Sequence, residues 1–145
     1  MTDTLPEPLA EIRDEFLELA ESDRLQLLLE YSYELPAIPA AYEGHPELAE
    51  RVVECQSPVY IIVDVDEAGV VAMHATAPAE APTTRGFASI LAQGLTGLSV
   101  ADVLAVPGDY PQSLGLTRVV SPLRISGMTG MLLRAQRQVR AKSGL

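Results

Sequence analysis

The chain has 145 residues, 48% of them hydrophobic, which is enough for one domain with one sizeable core. Its net charge of −10 disfavours nonspecific attraction to nucleic acid or to an anionic membrane surface. No apolar run approaches the roughly 20 residues of a membrane span, the first residues do not read as a secretory signal, and one cysteine cannot form an internal disulfide, so a cytoplasmic location is expected.

Charge is unevenly placed. Residues 1–50 carry 13 of the 20 acids and only Arg13 and Arg24 as bases, whereas six bases and no acid follow from Arg118 onward. Leu9, Ile12, Phe16 and Leu19 recur at helical spacing, which predicts an amphipathic helix over 6–20 with Pro6 at its start. A second helix is expected from an N-cap at Ser22 to Leu35, ended by Pro36 and Pro39. A loop to Pro46 follows, then a short helical turn at Glu47–Glu50.

The period then changes to that of strands. Val59–Val65 and Val70–Thr76 are rich in β-branched residues, and Asp66–Gly69 supplies turn chemistry between them. With that four-residue turn, His74 would pair with Ile61. Arg51–Val53 could add a short third strand. Ala77–Thr84, with Pro78 and Pro82, reads as a loop, and Gly86–Leu95 as a helix. Ser99 with Asp102 has the form of a capping box for a helix ending near Ala105. Ser121-Pro122 opens a last helix reaching about Ala141. Gly127 and Gly130 lie inside it, where each costs about 1 kcal/mol relative to alanine, so close packing against another backbone is expected there. Arg134, Arg137 and Arg140 share one helical stripe, either a solvated face or a site for phosphate or an acidic partner. Two helices, a small antiparallel sheet of about three strands and three or four further helices make an α+β domain spanning 1–145.

The lone Cys55 sits at a polar Gln-Ser break between two extended segments, in Val53-Glu54-Cys55-Gln56-Ser57. It is either a small buried hydrophobe or a reactive thiol carried on a loop. One cysteine and two scattered histidines, His45 and His74, make no metal-ligand pattern. His74 reads as an ordinary strand residue and His45 as a surface histidine in a loop able to approach the thiol. Asp64, Asp66 and Glu67 read as a solvated hairpin end. Gln56 and Ser57 read as loop support or as contacts to the sulfur. Arg85 either points toward the Cys55 loop or pairs with Glu80 or Glu54.

Val53-Glu54-Cys55-Gln56-Ser57 followed by Val59-Tyr60 resembles the Val-x-Gly-Cys-Gln-Ser-x-Val-Trp segment of the SufE family, the sulfur acceptors of iron–sulfur cluster assembly. Leu35-Pro36-Ala37-Ile38-Pro39 with Tyr42, Arg85-Gly86-Phe87, and Leu114-Gly115-Leu116 through Met128 are similar to further family segments, in order. The resemblance spans about residues 6–142. Three departures stand out: Glu54 at the family's glycine, a changed 76–84 loop, and Ser126 for asparagine. A negative charge at Glu54 should raise the thiol's pKa.

The resemblance implies a SufE/NifU-like fold and a relay protein rather than an enzyme. Cys55 would take persulfide sulfur from a pyridoxal-phosphate-dependent, SufS-like cysteine desulfurase, stimulate that enzyme, and pass the sulfur to a cluster scaffold. Glu54, Gln56, Ser57 and Arg85 would support the thiol. The protein itself would hold no cofactor and no metal. The competing class is a binding or regulatory module with an incidental cysteine. A thiol hydrolase would need His45 within hydrogen-bond reach of Cys55.

Overall fold

In the computed structural model, residues 5–144 are described. Helix α1 (Glu7–Glu18) and helix α2 (Glu21–Tyr33) bury Leu9, Phe16, Leu28 and Tyr31 on their inner faces. Phe16 and Tyr31 stack with ring centroids 5.9 Å apart, and the Tyr31 hydroxyl donates to Glu15 at 2.6 Å. Arg24 fastens this pair to the rest, donating to Phe16 O at 2.9 Å and Gly115 O at 3.0 Å. Ser22 is not the cap expected of it. Helix α2 starts at Glu21 after Ala20, without a side-chain cap, which places Ser22 inside the first turn.

Three strands follow: β1 (Glu50–Arg51), β2 (Tyr60–Val65) and β3 (Val71–Thr76), antiparallel in the order β1-β2-β3. The third strand is shorter and earlier than read from the sequence, and the turn expected at Glu47–Glu50 is a 3-10 turn at Pro46–Leu48. The hairpin register also differs by one: His74 faces Ile62, and Ile61 faces Ala75. Asp66 is the reason. Its side chain accepts from Ala68 N and Val70 N, each at 2.9 Å, which draws Val70 into a five-residue loop. Ile61, Val63, Met73 and Ala75 consequently share the core face.

Helix α3 (Pro82–Leu95) is buried on almost every side and lies between α2 and the sheet. It begins earlier than expected, because Pro82 takes the first helical turn, where a missing N–H costs nothing; the loop is only 77–81. The short helix α4 (Val100–Ala105) is capped as read, Ser99 Oγ accepting from Asp102 N at 3.1 Å. A 3-10 turn at Tyr110–Leu114, missed in the sequence, buries Tyr110, whose hydroxyl donates to Leu9 O at 2.8 Å. Helix α5 (Pro122–Ser143), capped by Ser121, runs back across β2. No described helix is long and apolar enough to cross a membrane. Among the described residues the result is an α+β fold of five α-helices and a three-stranded antiparallel sheet.

Both sheet edges are partly covered. On the outer side β1 pairs only with Tyr60 and Ile61, and beyond it Val63 N donates to Gln138 Oε1 at 2.9 Å while Val63 O accepts from Lys142. On the other side, the α3–α4 connection runs along β3. Val71 N donates to Leu98 O and Gly97 N to Val71 O, both at 2.8 Å, and Met73 N donates to Thr96 Oγ1 at 3.0 Å.

Candidate functional site

Val53–Cys55 form one 3-10 turn in the connection from β1 to β2. The fully buried Val52 and Val59 anchor its two ends, and Val52 N donates to Val59 O at 2.9 Å. Between these anchors the chain folds tightly: Ser57 N donates to Cys55 O at 2.6 Å and Val59 N to Ser57 O at 2.8 Å. Gln56 sits at φ 60°, ψ −27°, the only non-glycine residue with positive φ among those described. Such a conformation costs about 1–3 kcal/mol and persists only where the surroundings enforce it. The strain therefore falls on the residue next to the thiol.

Helix α5 is the floor beneath this turn. A Cβ built on Gly127 would lie 3.1 Å from Cys55 Sγ, and one on Gly130 only 2.6 Å from Glu54 Oε2. The two interior glycines thus allow the turn to settle onto the helix, though the groups nearest them are the Cys55 and Glu54 side chains and not the backbone their helical cost had suggested. The Cys55 thiol lies 3.6 Å from its acceptor, Gly127 O. One helical turn on, Arg134 Nη1 donates to Glu54 Oε2 at 2.6 Å, while its Nε lies 3.4 Å from Glu50 Oε2. Arg137 also pairs with Glu50. Of the expected solvated arginine stripe, then, Arg134 and Arg137 are spent on holding the Cys55 turn and β1.

Burial pushes the Cys55 thiol up to about 11, the Glu54 carboxylate adds to the rise, and Arg134 opposes it. Arg134 holds the Glu54 carboxyl below its ordinary range. At neutral pH Cys55 is accordingly a thiol. Glu54→Gln removes the neighbouring negative charge and should speed alkylation of Cys55 at neutral pH by about three- to tenfold. Timed iodoacetamide labelling read by mass spectrometry checks this, and an unchanged rate would mean that burial alone sets the reactivity.

Cys55 opens onto a groove of about 670 Å³. Gln56 and Ser57 form one side, the first turn of α3 (Pro82, Thr83, Thr84) another, and the start of α5 (Ser121, Leu123, Arg124) a third. Two helix N-termini, each with partial positive charge, therefore converge where a thiolate would form. Leu123 lines the groove and is 53% exposed, and Val53, in the same 3-10 turn as Cys55, is 65% exposed.

Glu54, Cys55, Gln56 and Ser57 are thus brought together, and Arg85 is not with them. It donates to Ser32 O at 2.9 Å and to Ala77 O at 2.6 Å, tying the end of α2 to the end of β3. The early start of α3 explains the difference: Arg85 lies past the exposed end of the helix, and Thr83 and Thr84 hold the positions facing the groove. Neither histidine lines this groove. His45 pairs with Glu47 at 3.0 Å, and His74 lies 3.4 Å from Asp64, which also accepts from the Tyr42 hydroxyl. Both histidines line a separate apolar cavity of about 250 Å³ on the opposite sheet face. Asp64 is therefore engaged rather than simply solvated, and the base that a thiol hydrolase needs is not beside Cys55. The sequence reading missed Thr83, Thr84, Arg124 and Arg134. The spacing Gly127, Gly130, Arg134 on one helix face was the available signal for the last.

A protein-family model described as SufE, Fe-S metabolism associated domain, matches residues 10–139. An uncharacterised SufE-like protein of Mycobacterium tuberculosis is 50% identical over 137 residues, covering 94% of each chain. A SufE-like protein of Synechocystis is 30% identical, covering 86% of this chain and 75% of its own. The solution structure of a hypothetical protein from Thermus thermophilus superposes with a TM-score of 0.84 at 38% identity, covering 97% of this chain and 99% of that one.

Proposed function

Since the chain belongs to the SufE family, whose domain is associated with iron–sulfur metabolism, we propose that Cys55 accepts sulfur from the persulfide of a partner cysteine desulfurase and relays it to cluster assembly. The observation that carries this reading is the placing of Cys55. It lies on a strained turn with pinned ends, half-buried, at the head of a groove toward which two helix N-termini point. A simple core cysteine needs neither the strain nor the groove.

The transfer balances without an external oxidant or reductant. The Cys55 thiolate attacks the outer sulfur of the donor's Cys–S–SH, and a new S–S bond forms at Cys55. The donor's own S–S bond breaks, and its cysteine leaves as a thiolate that takes up the proton lost by Cys55. Removing the product this way would stimulate the desulfurase. The free protein keeps Cys55 mostly as thiol, so docking must favour the thiolate by lifting the turn off α5 or by loosening Glu54. The exposed Leu123 in the groove and Val53 in the Cys55 turn suit an apolar contact with the partner.

Incubation with a desulfurase, cysteine and pyridoxal phosphate should add about 32 Da to the protein for each sulfur accepted. The added mass should be lost under reductant and absent in Cys55→Ser. A mass that never changes in the wild-type chain would overturn the reading in favour of a binding module with an incidental cysteine.

A further inference from the structure

Thr83 and Thr84 are polar, yet only 8% and 7% exposed, and both line the Cys55 groove. Neither hydroxyl bonds to another described residue, and neither oxygen is sealed from solvent, so both are open to the groove and to whatever occupies it. The backbone around them is also unfilled. The α3 ladder begins with Arg85 N donating to Ala81 O at 2.9 Å, so the N–H groups of Thr83 and Thr84 precede the first helical bond. Ala81, at the N-cap, provides no side chain to satisfy them. Two hydroxyls and two peptide N–H groups thus stand unused at the positive end of a 14-residue helix, in the same groove as the candidate nucleophile.

Donors without an acceptor call for an anion. Resting on the reading of Cys55 as a sulfur acceptor, we propose that Thr83, Thr84 and the N-terminus of α3 form the cradle that receives the outer sulfur of the Cys55 persulfide as its anion. Cys55–S–SH loses its proton to solvent through the open groove, and the terminal S⁻ accepts from the threonine hydroxyls and the exposed N–H groups. Arg124, on the facing wall, adds a positive charge, against which stands the Glu80 carboxylate in the same lining. The unloaded thiol donates to Gly127 O and bonds to none of these groups, so the cradle is offered to the outer sulfur of the loaded protein. It keeps the cargo anionic and stops it drifting to other acceptors.

The test loads Cys55 without a desulfurase. An aryl disulfide first forms the mixed disulfide Cys55–S–S–Ar. Sulfide then displaces the aryl thiolate, leaving Cys55–S–SH. Near-ultraviolet absorbance of the persulfide anion, followed against pH, gives its ionisation midpoint, and cyanide trapping gives its lifetime. In the T83V/T84V chain the midpoint should rise by about one pH unit, a roughly tenfold smaller anion fraction at fixed pH, as expected for lost hydrogen bonds to a charged group. The T83S/T84S chain, which keeps the hydroxyls, should match wild type. If the double valine chain does not fold, the single variants T83V and T84V should each show about a threefold loss by the same measure. A midpoint unmoved in the folded valine chains, or moved equally in the serine chain, overturns the cradle. A desulfurase that transfers no sulfur to Cys55 would instead overturn the acceptor reading and leave this comparison intact.

Discussion

Alkylation of Cys55 in the free, folded protein should accelerate about tenfold per pH unit from roughly pH 7 to about pH 10, close to a thousandfold in all, because only the thiolate reacts. The cause is the setting already described: burial against α5 and the adjacent Glu54 carboxylate push the thiol up to about 11. In the urea-denatured chain, where both influences vanish, the profile should level off near the ordinary value of about 8.5. The sign also bears on stability. The folded thiol titrates above the unfolded one, so this contribution to folding is complete below about pH 9 and is lost as the pH rises toward about 11. Iodoacetamide labelling over this range, native against denatured, measures the effect. A native profile that flattens near or below the denatured one would mean that the turn already offers a thiolate without its partner.

Gly86→Ala should lower stability by about 2 kcal/mol, although alanine is the better helix former by about 1 kcal/mol. A Cβ at residue 86 would lie 2.5 Å from Leu28 O and 2.8 Å from Leu28 Cδ1. The first obstacle is backbone, so α2 must move bodily to make room. For a chain of this size the loss corresponds to a fall in Tm of roughly 4–8 °C. Gly108→Ala is the control: nothing lies within 4 Å of its Cβ position, and its Tm should hold or rise slightly. Differential scanning calorimetry of both variants decides the matter, and a Gly86→Ala protein as stable as the parent would show that α2 is not seated on α3 as described. Function follows packing here, because α3 carries one wall of the Cys55 groove in its first turn.

The helices, the hairpin and the α+β class were legible because periodicity and turn residues act locally. So was the importance of Gly127 and Gly130, since an interior helical glycine is costly without a reason. What touches them was not legible: Cys55 is 72 residues away from Gly127, and Arg134 is 80 from Glu54. Chain order says nothing of such pairs. The error at Pro82 had the largest consequence. Read as a loop residue, it hid a helix start, left Thr83 and Thr84 unnoticed, and made Arg85 look like a site residue. The hairpin register failed for a smaller reason. The β-branched Val70 reads as strand, but the Asp66 carboxylate captures its N–H. Around Cys55, the polar Gln-Ser break correctly marked a special turn, while the left-handed Gln56 could not be anticipated at a non-glycine residue.

The partly covered margins of the sheet restrict how another polypeptide can engage this molecule. A guest chain seeking to add itself as a fourth strand would find on one side a charged dipeptide and then Val63 groups taken by Gln138 and Lys142, and on the other the Val71 and Met73 groups already occupied by the Thr96–Ser99 segment. Side chains displayed where helices begin are therefore a readier handle for a companion than the backbone ladder, much of which is already taken.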